Sequence, residues 1–133
     1  MVFYQEAGLP RFLMGCRSAK HKFMPGVFVF PGGKVDAEDQ KHSTSNLNLE
    51  VLAAAELAQL PCNLSGFLNA GLRELLEETG YSLSNLGGFG LVPKSELLLT
   101  ARAITPAYSP LRYDTLFLHV EVEKPQESLP DIE

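Results

Sequence analysis

The chain has 133 residues, 45% of them hydrophobic and 20% charged, with a net charge of −5. That suffices for one domain with its own core, is too ordinary a mixture for a disordered tail, and argues against a general nucleic-acid binder. No apolar run approaches the roughly 20 residues of a membrane-spanning helix, and the start, MVFYQEAGLP, has neither the basic residues nor the apolar stretch of a secretion signal.

Cys16 and Cys62 are too few and too scattered for a disulfide framework or a zinc cluster, so they read as buried thiols in a reducing compartment. The Asn63-Leu-Ser sequon is then a chance match. Charge is unevenly spread: residues 1–41 carry six Lys/Arg against four Asp/Glu, and residues 42–133 carry five against twelve.

In chain order, VFYQEAGLPRFLMGCR predicts two short strands around a Gly-Leu-Pro turn. GVFVF is β-branched and aromatic and predicts a strand running into the glycine turn PGGK. HSTSNLN is a polar loop. LNLEVLAAAELAQL, with leucines at 49, 52, 57 and 60, predicts a helix broken by PCNLSG. A second helix is expected from about Phe67 to Thr79, with Leu68, Leu72, Leu75 and Leu76 as its apolar stripe and Gly80 as its stop. GGFGLV reads as a turn and short strand, and ELLLTARAIT as a strand. TLFLHVEVE alternates, with Leu116, Leu118, Val120 and Val122 on one face. Strands, helix, helix, strands point to an α+β domain, a mixed sheet covered by helices.

Within the second helix, LRELLEETGY packs Glu74, Glu77 and Glu78 onto one face, because i, i+3 and i+4 are neighbours. Arg73 can pair with Glu77 at i, i+4, which leaves Glu74 and Glu78 uncompensated. Hard carboxylate oxygens suit Mg²⁺ or Mn²⁺ shared with substrate phosphates. Read alone, the stretch is first of all an exposed acidic helix face. Upstream, FVFPGGKVDAED sets a strand, a proline and two glycines before Asp36, Glu38 and Asp39. Glycine permits positive φ and close backbone approach, so a carbonyl there can join a metal shell; the plain alternative is a turn. A phosphate-binding ATPase loop is excluded, since PGGKVD has no Ser or Thr after its Lys.

Together these pieces resemble the Nudix hydrolase family. Its box reads Gly, five residues, Glu, seven residues, then Arg-Glu-hydrophobic-any-Glu-Glu-any-Gly-hydrophobic. The second half is matched by Arg73, Glu74, Leu75, Glu77, Glu78, Gly80 and Tyr81, and the first by Gly33 with Asp39 at the Glu position. The departures are that Asp and a spacing of 33 residues, 40 to 72, between Asp39 and Arg73, an insertion of 26. LMGCRSAKHKFMPGVFVFPGGKVD and ARAITPAYSPLRYDTLFL further resemble the peroxisomal CoA-diphosphatase-like branch, which carries an insertion inside the box, and its bacterial relatives.

The resemblance implies a Nudix fold over residues 1–133, a mixed sheet sandwiched by helices. An extra helix would lie in an insertion at about 40–66, and a C-terminal strand and helix would be missing. It implies Mg²⁺ or Mn²⁺ held by Glu74, Glu77, Glu78 and the Gly32 carbonyl. Glu77, Glu78 and Arg73 form the implied catalytic set, with Arg73 orienting a glutamate. The base is a box glutamate or a later acid, for which Glu127, Asp131 and Glu133 are candidates; tail charges are the plain reading of those three.

The implied reaction is hydrolysis of the diphosphate of a nucleoside diphosphate derivative. Arg17-Ser18, Gly26 and Phe30-Pro31-Gly32-Gly33 follow the order of a CoA-hydrolase signature, with Lys22 where that signature has Arg. CoA or acyl-CoA is therefore the leading expected substrate, met by Arg17, Lys22 and Arg112, with ADP-ribose, NAD(H) and dinucleotide polyphosphates next. Phe23-Met24-Pro25 covers a ligand or forms a hydrophobic corner. The expected partner is this small molecule, not nucleic acid or membrane; a homodimer is allowed for. The expected compartment is a bacterial cytoplasm or an organelle lumen such as the peroxisome. The reading of another class is a non-catalytic ligand sensor.

Overall fold

Ala7 and Gly8 both take positive φ, 53° and 78°, the pair a tight two-residue hairpin turn needs to match strand twist. The computed structural model describes residues 1–20, 25–41, 51–52, 63–83 and 89–125. The turn joins β1 (Val2–Glu6) to β2 (Leu9–Phe12), with Glu6 opposite Leu9. The expected turn at Gly-Leu-Pro is thus displaced. Leu9 and Pro10 belong to β2, and Pro10 is tolerated because β2 is an edge strand.

β3 (Gly15–Cys16) and β4 (Phe28–Val29) pair separately as an antiparallel ribbon. β5 (Val51–Leu52) follows, then α1 (Leu64–Thr79), β6 (Tyr81–Ser82), β7 (Phe89–Gly90), β8 (Leu97–Ile104) and β9 (Asp114–Glu121). The main sheet runs β2-β1-β9-β8-β5. Its β1–β9 and β5–β8 pairs are parallel and its β1–β2 and β8–β9 pairs antiparallel, a mixed sheet as expected. Val51 and Leu52 correct the predicted first helix. Parallel pairing with Leu97 and Leu98 makes them strand, since leucine and β-branched spacing alone does not separate a helix from a short buried strand. The rest of that predicted helix lies outside the described residues.

The second helix begins three residues before the expected Phe67. Asn63 stops short of helical geometry at φ −67°, ψ 152°, and its Oδ1 accepts the Gly66 N–H at 2.8 Å, satisfying a donor that the first turn leaves open. At the other end Gly80 is left-handed, φ 72°, and its N–H donates to the Leu76 carbonyl at 2.8 Å. Leu64, Leu68 and Leu75 pack against Val2, Tyr81, Leu91, Leu97, Val120 and Val122 to make the core. Each such side chain fully buried contributes about 1.5–3 kcal/mol. On β9 the expected alternation holds, with Leu118 and Val120 turned to the core. Among the described residues α1 is the single helix, and it covers one face of the sheet. None is long and apolar enough to cross a membrane. Cys16 is exposed, contrary to the expected buried thiol, because β3 is two residues long and stands outside the main sheet.

Candidate active site

Residues 32–40 lie along α1 in the opposite direction to the helix. Gly32 donates its N–H to Glu78 Oε2 at 3.0 Å. Gly33 backs onto the Glu74 carboxylate so closely that a Cβ there would overlap it. The Lys34 carbonyl accepts from Arg73 Nη2 at 3.0 Å. The Asp39 carbonyl accepts from Asn69 Nδ2 at 2.8 Å. Gln40 and Val35 meet the helix at Gly66, where a Cβ would stand 3.0 Å from Gln40 Cγ. The expected close backbone approach is met at Gly33, while neither Gly32 nor Gly33 has the positive φ that was also allowed for.

Arg73 is the hub. Its Nε donates to Asp39 Oδ1 at 3.1 Å and its Nη2 to Asp39 Oδ2 at 3.0 Å, a two-pronged pair. Its Nη1 donates to Glu74 Oε1 at 2.8 Å and to Glu77 Oε2 at 3.3 Å. Asp36 stands 3.6 Å from Nη2. The Asp39 side chain is only 6% exposed. Its hydrogen bonds from Arg73 hold the carboxyl below the usual range; burial opposes this, and the Asp36 N–H at 2.8 Å assists. The same bonds, with those to Glu74, hold the Arg73 guanidinium above its ordinary value against its own desolvation.

The structure thus brings together Gly32, Arg73, Glu74, Glu77 and Glu78 from two stretches far apart in the chain. The Arg73–Glu77 pair forms as expected, but Glu74 and Glu78 are not left uncompensated: Arg73 holds one and the Gly32 amide the other. Asp39, which read as part of an acidic cluster, is instead the buried partner of Arg73. Arg17 lies on the β3–β4 ribbon, where its carbonyl accepts from the Gly26 N–H. Arg112, before β9, donates to the Thr105 carbonyl at 3.3 Å, and the contacts that gather the glutamates do not include it. Lys22, Glu127, Asp131 and Glu133, with Phe23 and Met24, lie outside the described residues. Asn69 was missed. Its signal was its place, one turn before Arg73 on the same helix face.

The donor chemistry of Glu74, Glu77 and Glu78 fits a hard divalent cation. As the side chains stand, no three carboxylate, imidazole or thiol groups among the described residues are gathered closely enough to hold one. Each glutamate instead gives one oxygen to Arg73 or Gly32. Glu77 keeps 58% of its side chain exposed and Glu74 17%; Glu78 is exposed as well, so Glu77 and Glu78 have room to turn and Glu74 has little.

An aromatic row begins beside this loop. The Phe30 ring lies 5.8 Å from Phe12, Phe12 lies 5.5 Å from Phe3, and Phe3 lies 6.2 Å from the His119 ring, which hydrogen-bonds to Thr100. Phe12 is 47% exposed. Phe3 alternates with Val2 and Tyr4, which pack into or against the core, so the row lies on the sheet face away from α1.

Among solved structures, the chain is similar to a NUDIX hydrolase from Alicyclobacillus acidocaldarius. The two share 21% identity and superpose with a TM-score of 0.66, over 90% of this chain and 66% of that one. No protein-family model and no curated protein matches the chain. The fold is therefore Nudix-like, an α+β domain with a mixed sheet and the glutamate-bearing helix against it.

Proposed function

We propose that the protein is a divalent-metal-dependent hydrolase that cleaves the diphosphate linkage of a nucleoside diphosphate derivative. The observation that carries this reading is the 32–40 loop laid on α1, which assembles Glu74, Glu77 and Glu78 at one surface although 33 residues separate Asp39 from Arg73. The Nudix-like fold supports it.

Glu74, Glu77 and Glu78 would hold Mg²⁺ or Mn²⁺, with the Gly32 carbonyl as a further ligand. When bound, such an ion neutralises phosphate charge and lowers the pKa of water. The chain's own residues do the rest. Gly32 positions Glu78 through its N–H. Arg73 orients Glu74 and Glu77 without touching substrate. Water attacks one phosphorus in line, the new P–O bond forms as the anhydride P–O bond breaks, and the leaving phosphate takes the electron pair. A carboxylate accepts the water's proton; the exposed Glu77 and Glu78 are the candidates. The half-exposed Phe12 and the row behind it offer a stacking surface for a nucleobase.

CoA or acyl-CoA is the first substrate to test, with Arg17, Lys22 and Arg112 as phosphate partners, followed by ADP-ribose, NAD(H) and dinucleotide polyphosphates. The full-length chain incubated with each compound and Mg²⁺ or Mn²⁺ should release a phosphate-containing product from at least one. One other reading, a ligand sensor, is motivated by Asp39 standing at the box's Glu position and by the 33 residues between Asp39 and Arg73. Binding of a nucleotide without any product would establish it and overturn the hydrolase.

A further inference from the structure

Asp39 is gripped twice by α1. Arg73 takes its carboxylate, and Asn69, one helical turn earlier, takes its main-chain carbonyl at 2.8 Å. The two contacts differ in what they fix. The ion pair is satisfied wherever the carboxylate can reach the guanidinium. The Asn69 bond pins the backbone, and so decides which way the carboxylate is presented. Chain connectivity contributes little, because 30 positions separate Asp39 from Asn69. Each doubling of such a span lowers the docked fraction about threefold.

We infer that Asn69 is a positioning residue for the site. Its amide sets the Asp39 backbone, Asp39 sets the plane of the Arg73 guanidinium, and Arg73 sets Glu74 and Glu77. This chain of contacts runs from Asn69 to Glu74 and Glu77, two of the three carboxylates. The inference rests on the preceding reading of those carboxylates as the functional set.

The test uses the full chain carrying Asn69→Leu, which keeps the side-chain volume and removes the donor, and Asn69→Gln, which restores an amide. Three quantities are read: the melting temperature, the exchange rate of the Arg73 Nε–H by ¹⁵N NMR, and Mn²⁺ affinity by electron paramagnetic resonance. In Asn69→Leu the fold should persist, Arg73 Nε–H exchange should quicken, and Mn²⁺ affinity should fall, each by up to about tenfold, the worth of one neutral hydrogen bond. Asn69→Gln should recover part of both. A folded Asn69→Leu protein with unchanged Arg73 exchange overturns the inference; if Leu prevents folding, Asn69→Ala is read in the same way. Wild-type protein that binds no Mn²⁺ and cleaves no diphosphate would instead sink the hydrolase reading, while the Arg73 exchange rate still judges the role of Asn69.

Discussion

Replacing Gly33 with Ala separates site geometry from fold stability in one step. Gly33 has no positive φ, so Ala brings no backbone strain. Its methyl would overlap Oε1 and Cδ of Glu74 and stand 2.9 Å from Oε2. The obstacle is the end of a flexible side chain, so the carboxylate swings away by on the order of an ångström. That move stretches the 2.8 Å bond from Arg73 Nη1. An off-rotamer Glu costs about 0.5–1.5 kcal/mol, and the stiffer unfolded chain returns about 0.4–1 kcal/mol. With the weakened Arg73 bond adding about 1 kcal/mol, the net loss is about 0.5–2 kcal/mol, a fall in Tm of about 2–7 °C for a chain of this length. Catalysis should suffer far more, since an ångström of misplacement costs about 100-fold. The assays are thermal melting by circular dichroism and diphosphate hydrolysis with Mn²⁺. In an Glu74→Ala background the methyl has room, so Gly33→Ala should lower activity no further. Near-normal turnover in Gly33→Ala, or equal losses in both backgrounds, would refute the argument.

Glu78→Gln should leave Tm within a few degrees and remove most hydrolysis, because the change removes a charge at an exposed position; unimpaired turnover would sink its assignment. Asp39→Asn leaves Arg73 facing a neutral amide and should cost about 2 kcal/mol at neutral pH, or about 7 °C in Tm, with a much larger cost or none arguing against the pair. Asp39 and Asp114 are both held below the ordinary carboxylate range, by hydrogen bonds from Arg73 and Arg102. Their contribution is therefore complete above the unfolded value of about 3.9 and is lost as pH falls through the folded values. An Asp39→Asn/Asp114→Asn protein should lose less Tm than wild type over that acid range, and an unchanged slope would contradict the sign. Phe12→Ala should raise KM for a nucleotide substrate several-fold with kcat nearly constant; a loss confined to kcat would remove the row from the binding surface.

The acidic helix was legible because its features are local. Gly80 ends it, its leucines recur at helical spacing, and Arg73 reaches Glu77 within one turn. Its true start was hidden by reading PCNLSG only as a break, although Asn63 is a good capping residue three before Gly66. The role of Asp39 was not legible. Buried pairing to Arg73 depends on a contact across 34 positions, and an isolated Asp beside Asp36 and Glu38 looks like any acidic cluster. Of the two reasons the sequence offered for Gly33, close backbone approach holds and positive φ does not; that the neighbour is Glu74 leaves no mark in local sequence. Val51 and Leu52 failed as helix because their state is set by Leu97 and Leu98, far along the chain.

The hairpin that opens the chain bears on how these molecules meet one another. An edge strand with a full row of donors is a template on which another chain can add. β2 forms one edge of the sheet and carries Pro10, which has no N–H, beside Arg11, which pairs with Glu6 at 3.2 Å. The ladder on that side is one donor short and carries charge. Strand-by-strand growth into fibres is thereby discouraged at β2, even though Leu9 and Phe12 there are exposed and apolar.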